Sequence, residues 1–379
     1  MDLIIDGNAF INVAISVAKS MSNQDKRTGD AYYVNDLFND GGFILKDHVK
    51  VAFRNFCFTY LNSLIAPIGP SLGQVHLVFD SKSWRKEYIS NFFETSTFKT
   101  ESAPAQFKYK GNRKYDDHQY LFFDYFQQIL TPRLKDECGL NYYRFKGTEG
   151  DDIIAYLCEK LNTDILIYSV DQDMKQLVGS PNKNVMLIVP KQMSKHKKLF
   201  LPKSIIPEPA ASEEDGFFSL NESHITGSTI DKIISSLKSK GYVDSTVDTT
   251  DEVLNKVLLG DKSDNIPRVA NITPAKAKKI ITSLQERIES PLLKKLDELD
   301  DSFLEHFVES IKLVLKVKDQ AKLDEIREHL LFNIKIIRLS TKVLPDEIQE
   351  TLDTFFNAYE FSNFSLTKFN ELKNNLSEL

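Results

Sequence analysis

Three short apolar runs in this chain each end in an aspartate, and this repetition constrains the fold more than any other feature. Leu3-Ile4-Ile5 runs into Asp6-Gly7-Asn8, Val75 to Phe79 into Asp80, and Ile165 to Val170 into Asp171. Apolar runs this short, bounded by turn residues, read as buried strands. Between them lie helical stretches such as Val49 to Ala66 and Gln119 to Cys138. Strands alternating with helices predict an α/β fold with a central, mostly parallel sheet flanked by helices. Ligands of such sheets gather at the carboxyl ends of the strands. Three aspartates are therefore expected on one edge.

The remaining acids fall into motifs that could join them. Gly147-Thr148-Glu149-Gly150-Asp151-Asp152 precedes Ile153, Ile154 and Leu157, which are spaced for one buried helix face. Glu149 and Asp151 then sit at a helix N-terminus, where the dipole tolerates negative charge; plain N-capping would explain them equally well. In Ser169-Val170-Asp171-Gln172-Asp173, two aspartates flank one residue after a strand, so both can face one site in extended backbone, or both can be solvated loop acids. Gly260-Asp261-Lys262-Ser263-Asp264-Asn265-Ile266-Pro267 is a tight turn between helical stretches, and turns favour Asp and Asn without any further role. Convergence of all eight acids would make each favour protonation of its neighbours. Divalent cations remove that penalty. Carboxylate oxygens suit Mg²⁺ or Mn²⁺, and no His or Cys pattern suggests zinc. Two such ions ~3.5–4 Å apart can activate water and stabilise the leaving oxygen of a phosphodiester.

The formal net charge is −6, which by itself weighs against nucleic-acid binding. Its distribution does not. Between Lys82 and Lys114 the basic residues are Lys82, Arg85, Lys86, Lys99, Lys108, Lys110, Arg113 and Lys114, against only Glu87, Glu94 and Glu101. This arm opens at Trp84-Arg85-Lys86, just after Asp80, and holds Phe107-Lys108-Tyr109-Lys110-Gly111-Asn112-Arg113. Its lysines and arginines can neutralise phosphates and Tyr109 can stack on an unpaired base; a solvated basic loop is the alternative, and binding is the expectation taken here because the arm follows directly from the strand that delivers Asp80. A second candidate clamp follows the acidic turn. Ile266 to Ile281 reads as helix–turn–helix, with Thr273-Pro274 opening the second helix. Its free N–H groups, with Lys276, Lys278 and Lys279, could hold a phosphate.

With 41% hydrophobic and 27% charged residues among 379, the composition is globular. No stretch is apolar for long enough to span a bilayer. The start, Met1 to Asp6, lacks the basic region of a signal peptide, and a cytoplasmic protein is expected. Cys57, Cys138 and Cys158 form no ligand pattern and are expected as reduced core thiols. The expected organisation is a core over 1–202 with an arm at about 82–125, a partly mobile insert over 203–251 with a helix near Ile230 to Lys240, a helical hairpin over 252–290, and a helical region over 291–379.

In order and spacing, Leu3 to Asn8, Val78 to Asp80, Tyr109 to Arg113, Gly147 to Asp152, Ser169 to Asp173 and Gly260 to Pro267 resemble the motifs of flap endonucleases and 5′→3′ exonucleases. Within that family the chain is most similar to the ribonuclease H branch of T-even bacteriophages, and the likeness covers roughly residues 1 to 285. The resemblance implies a PIN-like nuclease core, a helical arch over the active site and a helix–hairpin–helix variant. It implies two Mg²⁺ ions, replaceable by Mn²⁺: one held by Asp80, Glu149 and Asp151 with Asp6 nearby, the other by Asp171, Asp173, Asp261 and Asp264, with Asp152 behind them. It implies that Lys110 and Arg113 act on the scissile phosphate region. Implied substrates are DNA and RNA–DNA duplexes with 5′ ends or flaps, cut by a monomer removing lagging-strand primers during phage replication in the host cytoplasm. Implied partners are a sliding clamp and a single-stranded DNA-binding protein. Where the family carries Gly-x-Gly in its hairpin, with a monovalent cation, this chain has Val269-Ala270-Asn271-Ile272.

Gln349-Glu350-Thr351-Leu352-Asp353-Thr354-Phe355-Phe356 matches a clamp-binding box. Ile348, Leu352, Phe355 and Tyr359 at helical spacing equally suit a core face, and burial is the expectation taken here. Two other readings of the chain stay open. A PIN-type RNA-processing ribonuclease would share the acidic edge without needing the arm or the hairpin, and a DNA-binding scaffold would need no acids.

Overall fold

The computed structural model describes residues 1–23, 37–39, 44–95, 109–110, 118–179, 184–190, 197–201, 227–246, 249–288 and 292–376. The strands are β1 (Asp2–Asp6), a small antiparallel pair β2 (Phe38–Asn39) and β3 (Ile44–Leu45), then β4 (Val75–Val78), β5 (Asn141–Tyr143), β6 (Ile165–Tyr168), β7 (Val185–Val189), β8 (Lys197–Leu201) and β9 (Tyr242–Thr246). Seven of them form one sheet in the order β5-β4-β1-β6-β7-β8-β9, parallel at every pairing except β7 with β8. The mostly parallel α/β architecture expected from the sequence is therefore present. The chain places β4 on one side of β1 and returns to place β6 on the other. Such a reversal opens a crevice at the carboxyl ends, and Asp6, Asp80 and Asp171 follow these three adjacent strands.

Strand alternation builds two layers. Leu3 and Ile5 of β1, Leu166 and Tyr168 of β6, and Met186 and Ile188 of β7 face one core, with Phe10, Phe53, Phe58, Phe122 and Phe126. Helices Gly7–Asn23 and Asp47–Ile65, and the continuous helical stretch 119–138, cover that face. Ile4, Ile165, Ile167, Val185 and Leu187 face the other, under helix Gly150–Lys160. A third apolar cluster joins helices Thr249–Leu259, Pro274–Arg287, Asp301–Leu315 and Gln320–Ile337, and takes in Ile89 and Tyr109 from the arm. All three cysteines are free and buried, as expected. No helix among the described residues is long and apolar enough to cross a membrane.

Two expected boundaries shift. The 203–251 segment is not merely an insert: helix Gly227–Ser239 packs on the first core and β9 extends the sheet. The reason is local, since Ile230, Ile233, Ile234 and Leu237 make an apolar face that must be covered. Residues 202–226 lie outside the described residues. The C-terminal region is helical but not separate. Helix Asp346–Ala358 lies in the second layer, whereas Leu366–Asn374 crosses to the first, stacking Phe369 on Phe58.

Helix Asp346–Ala358 also carries the candidate clamp box. Leu352 is 0% exposed and Phe356 3%, with the Phe356 ring against Tyr156 and Tyr143, centroids 5.1 Å apart in each case. Two of the box's apolar anchors are thus core residues. Phe356→Ala is expected to destabilise the protein by ~3–5 kcal/mol; a urea melt unchanged from wild type would contradict the packing role.

Candidate active site

The carboxyl edge of the sheet is built by short, sterically tight turns. Asp6 ends β1, and its carboxylate accepts from the Ala9 N–H (2.9 Å) and the Ser169 hydroxyl (2.7 Å). The next residue must be glycine, because a Cβ on Gly7 would lie 2.6 Å from the Phe79 ring. Asp80 accepts from Asn8 Nδ2 (2.5 Å) and from the Gly150 N–H (2.6 Å) at the start of helix Gly150–Lys160. Asp171 follows β6 and accepts from the Asp173 N–H (2.8 Å), while Ser169 Oγ accepts from the Asp171 N–H (3.0 Å). Asp261 opens a turn closed by paired backbone bonds with Ile266, and its carboxylate accepts from the Ser263 N–H and hydroxyl. Gly260 takes φ +70°, and a Cβ there would sit 2.3 Å from the Ile266 carbonyl oxygen.

Charge pairing divides the edge. Glu149 is buried and fully engaged. Its Oε2 accepts from Arg85 Nη1 (2.9 Å) and the Tyr109 hydroxyl (3.1 Å), and its Oε1 from Lys110 Nζ (2.7 Å). Burial alone would raise its carboxyl, but Arg85 and Lys110 hold it down at about 2. Asp152 takes a two-pronged contact from Arg85, at 2.7 and 2.9 Å, and the Trp84 indole N–H at 2.9 Å. Asp173 and Asp261 share the Lys256 ammonium, which lies 2.7 Å from Asp261. Against the upward effect of burial, Lys256 and Ser263 hold Asp261 down at about 2. Asp173 is nevertheless raised to about 6, by desolvation and by Asp171. Asp6 is raised to about 7, by desolvation and by Asp80. Asp80 is raised by desolvation, and Asp151 well above its usual range by burial with Asp171 and Asp80 beside it.

Mutual influence thus runs from Asp6 through Asp80, Asp151, Asp171 and Asp173 to Asp261, so the acids meet on one edge. They are not arranged as a finished metal centre: among the described residues no group of three or more His, Cys, Asp or Glu side chains stands ready to hold an ion. Arg85 and Lys110 bond Glu149, and Lys256 bonds Asp173 and Asp261. The donor chemistry still fits divalent cations, since carboxylates pushed toward protonation by one another are what such an ion relieves.

Residues 42–206 match the family of the 5′-3′ exonuclease N-terminal, resolvase-like domain. A curated 5′-3′ exonuclease from Mycoplasmopsis pulmonis is 25% identical, over 86% of this chain and 93% of its own length. The chain is thus similar to 5′-3′ exonucleases, over residues 42–206 to their N-terminal domain and over most of its length to the curated relative. Among solved structures, a bacteriophage T5 protein co-crystallized with metal ions is similar at TM-score 0.49 and 14% identity, covering 100% of this chain and 98% of its own. The flap endonuclease of the same phage, in a pseudo-enzyme-product complex with DNA and metal ions, is similar at 0.48 and 14%, covering 100% and 99%.

Two sequence expectations need correction. Arg85 is 1% exposed. Its guanidinium is spent on Glu149, Asp152 and the Ile336 carbonyl (2.9 Å), so it is not placed to meet a phosphate. Tyr109 is 8% exposed and donates to Glu149, so its ring is not free to stack on a base. Both are expected to contact nucleic acid because the arm is locally basic; the buried acids that capture them lie far away in sequence. Lys86, Thr273, Lys276, Lys278 and Lys279 are exposed, with Thr273 at the N-cap position of helix Pro274–Arg287 but making no side-chain cap bond. Ala270 adopts φ 45°, a left-handed backbone that costs an alanine roughly 1–2 kcal/mol. Arg113 lies outside the described residues, as do arm residues 96–108 and the rest of 111–117. Sequence reasoning missed Asn8, Ser169 and Lys256. Lys256 in particular looked like an ordinary basic residue of a helix's last turn.

Protons bind Asp6 and Asp173 more tightly in the folded chain than in the unfolded one. Stability of the metal-free protein therefore rises as pH falls through about 7 and about 6. Glu149 and Asp261 act oppositely, but their contribution is lost only as pH falls from the ordinary carboxylate range through about 2. Thermal melts in chelator are expected to give a higher Tm at about pH 5.5 than at about pH 8. A profile that is flat or reversed over that span would refute the strained carboxylate edge.

Proposed function

We propose that the protein is a divalent-metal-dependent 5′→3′ nuclease of the flap endonuclease and ribonuclease H type, cutting phosphodiesters near the 5′ end of DNA or RNA–DNA duplexes. The observation that carries this reading is the convergence of mutually repelling carboxylates at the carboxyl ends of β4, β1 and β6, with Lys110 held beside Glu149. The match of residues 42–206 to the 5′-3′ exonuclease N-terminal domain supports it. Asp6, Asp80, Glu149 and Asp151 would hold one Mg²⁺, and Asp171, Asp173, Asp261 and Asp264 the other; Mn²⁺ would substitute. When bound, such ions supply an activated water and charge stabilisation at a phosphate.

The protein's own groups orient and neutralise. Lys110 is fixed by its N–H to the Asp264 carbonyl oxygen (3.1 Å), which ties the base of the arm to the Gly260–Pro267 turn. Its ammonium would be placed to meet a phosphate entering the edge, and Arg113 would act beside it. Arg85 and Asp152 keep Glu149 in place. Exposed Lys276, Lys278 and Lys279 at a helix start grip duplex phosphates without reading sequence. By its resemblance to phage ribonuclease H, the biological substrate would be the RNA primers and short flaps of lagging-strand fragments in phage replication. An RNA-processing ribonuclease of the PIN type would have less use for the hairpin lysines.

The test uses a 5′-labelled flap duplex and a 5′-recessed RNA–DNA hybrid with Mg²⁺ or EDTA, beside an Asp171→Asn, Asp173→Asn double variant. Short products are expected only with Mg²⁺, and the variant should lose roughly a hundredfold or more in rate, the order lost with a transition-state stabiliser. Binding without cleavage in either Mg²⁺ or Mn²⁺ would leave a DNA-binding scaffold as the function.

A further inference from the structure

The acids at the edge differ in what neutralises them, and one neutraliser has no part in the reading above. Helix Thr249–Leu259 is fixed by Val253, Leu254, Val257 and Leu258, all fully buried. Glu252 pairs with Lys175 (2.8 Å), and the Thr249 hydroxyl donates to the Val178 carbonyl oxygen (3.1 Å). From this rigid base the Lys256 stem reaches the acids, and its ammonium sits between Asp173 and Asp261. These two acids belong to different elements, one after β6 and one at the Gly260 turn. Nothing else among the hydrogen bonds of the described residues links the two carboxylates directly. Lys256 is therefore the bridge that draws the hairpin region to the sheet edge.

We infer that Lys256 is a resident counter-ion: its ammonium holds the Asp173–Asp261 pair together in the metal-free protein and must be displaced when a divalent cation takes those carboxylates. The inference rests on the proposed metal site and adds to it a competitor built into the chain. A lysine suits the part. Its ammonium is a compact charge on a flexible four-carbon stem, and its side chain is 25% exposed, so it can swing outward without disturbing the helix. A single positive charge satisfies two carboxylates incompletely, so a dication gains more from them. The cost of that gain is the lost ammonium contacts, and cation affinity falls accordingly. Lysine thus keeps the edge assembled before metal arrives and sets the concentration at which metal can enter.

Mg²⁺ and Mn²⁺ binding, without nucleic acid, would be measured by calorimetry on wild type, Lys256→Met, Lys256→Arg and the Asp171→Asn, Asp173→Asn double variant. Lys256→Met is expected to bind cation about tenfold or more tightly than wild type, to melt lower in chelator and to gain more on adding metal. Lys256→Arg keeps the competing charge and is expected to show no such tightening. Should Lys256→Met fail to fold, the same question is put to wild type by following the Lys256 Nζ resonance, assigned by its loss in Lys256→Arg. It should be protected from exchange in the metal-free protein and lose that protection as Mg²⁺ is added. Wild type that binds metal while Lys256→Met binds it equally or more weakly, or an Nζ resonance indifferent to Mg²⁺, would overturn the counter-ion role alone. Wild type that binds neither cation would overturn both this role and the metal requirement of the proposed function.

Discussion

The buried guanidinium of Arg85 is the contact on which the acidic edge depends. Carried at the start of the arm, it bonds the N-terminus of helix Gly150–Lys160 through Glu149 and Asp152 and the end of helix Gln320–Ile337 through the Ile336 carbonyl. A buried charge of this kind is tolerable only when every donor finds an acceptor. Here the fork meets Asp152 in two places, Glu149 in one and a main-chain carbonyl in another, and the cation also packs against the Trp84 ring at 4.7 Å. Removing it would leave two buried carboxylates without their principal partner. The same contact joins the C-terminal helices to the sheet. Around it, Gln176 donates to the Ile337 carbonyl oxygen and accepts from the Leu339 N–H, and Glu159 accepts from Thr341. The C-terminal region is thereby part of the floor of the site.

Beyond Arg85, the edge is a problem in charge. Parallel strands deliver their following residues to the same side, so acids after β1, β4 and β6 cannot avoid one another. The chain answers with cations from three places in the sequence: Arg85 and Lys110 from the arm, and Lys256 from the helix before the last acidic turn. Where a cation reaches, the carboxyl falls, as at Glu149 and Asp261. Where none bonds directly it climbs, as at Asp6 and Asp151, and at Asp173 burial and Asp171 outweigh even the Lys256 contact. A single edge thus holds carboxylates of opposite tendency, set by neighbours rather than by residue type.

Much of this was legible from the amino-acid order. Short apolar runs ending in aspartate specified β1, β4 and β6, because a strand buried on both faces has no polar alternation to obscure it. The 119–138 stretch proved continuously helical, with one π turn at Phe126–Leu130. Of the core face read at Ile348, Leu352, Phe355 and Tyr359, Leu352 is buried and the other three pack partly buried against the same cluster. What escaped was pairing over long sequence separation. Arg85 and Tyr109 stand in a polar, basic stretch and nothing local marks them as interior; Glu149, which captures both, is 64 and 40 residues away. Lys256 carried no signal for the same reason, its partner Asp173 being 83 residues back. The extra strand β9 was hidden because Tyr242–Thr246 alternates only weakly and earns its place by pairing with β8 at the sheet's margin.

Net charge says little about such a molecule, and the arrangement of its lysines explains why. Lys110 and Lys256 are half-buried and spent internally on acids, whereas Lys86, Lys276, Lys278 and Lys279 stand in solvent. Only the second set contributes to the field that a phosphate backbone meets on approach. The first set becomes available only when something else neutralises its carboxylates. A chain with a formal charge of −6 can therefore present a basic approach and an acidic floor together, with the internal lysines as the exchangeable layer between them. The coupling also gives the hairpin a structural stake in the site. Asp261 is held by Lys256, and Asp264 by its main-chain link to Lys110. A shift of the Gly260–Pro267 turn on contacting a duplex would move both contacts at once.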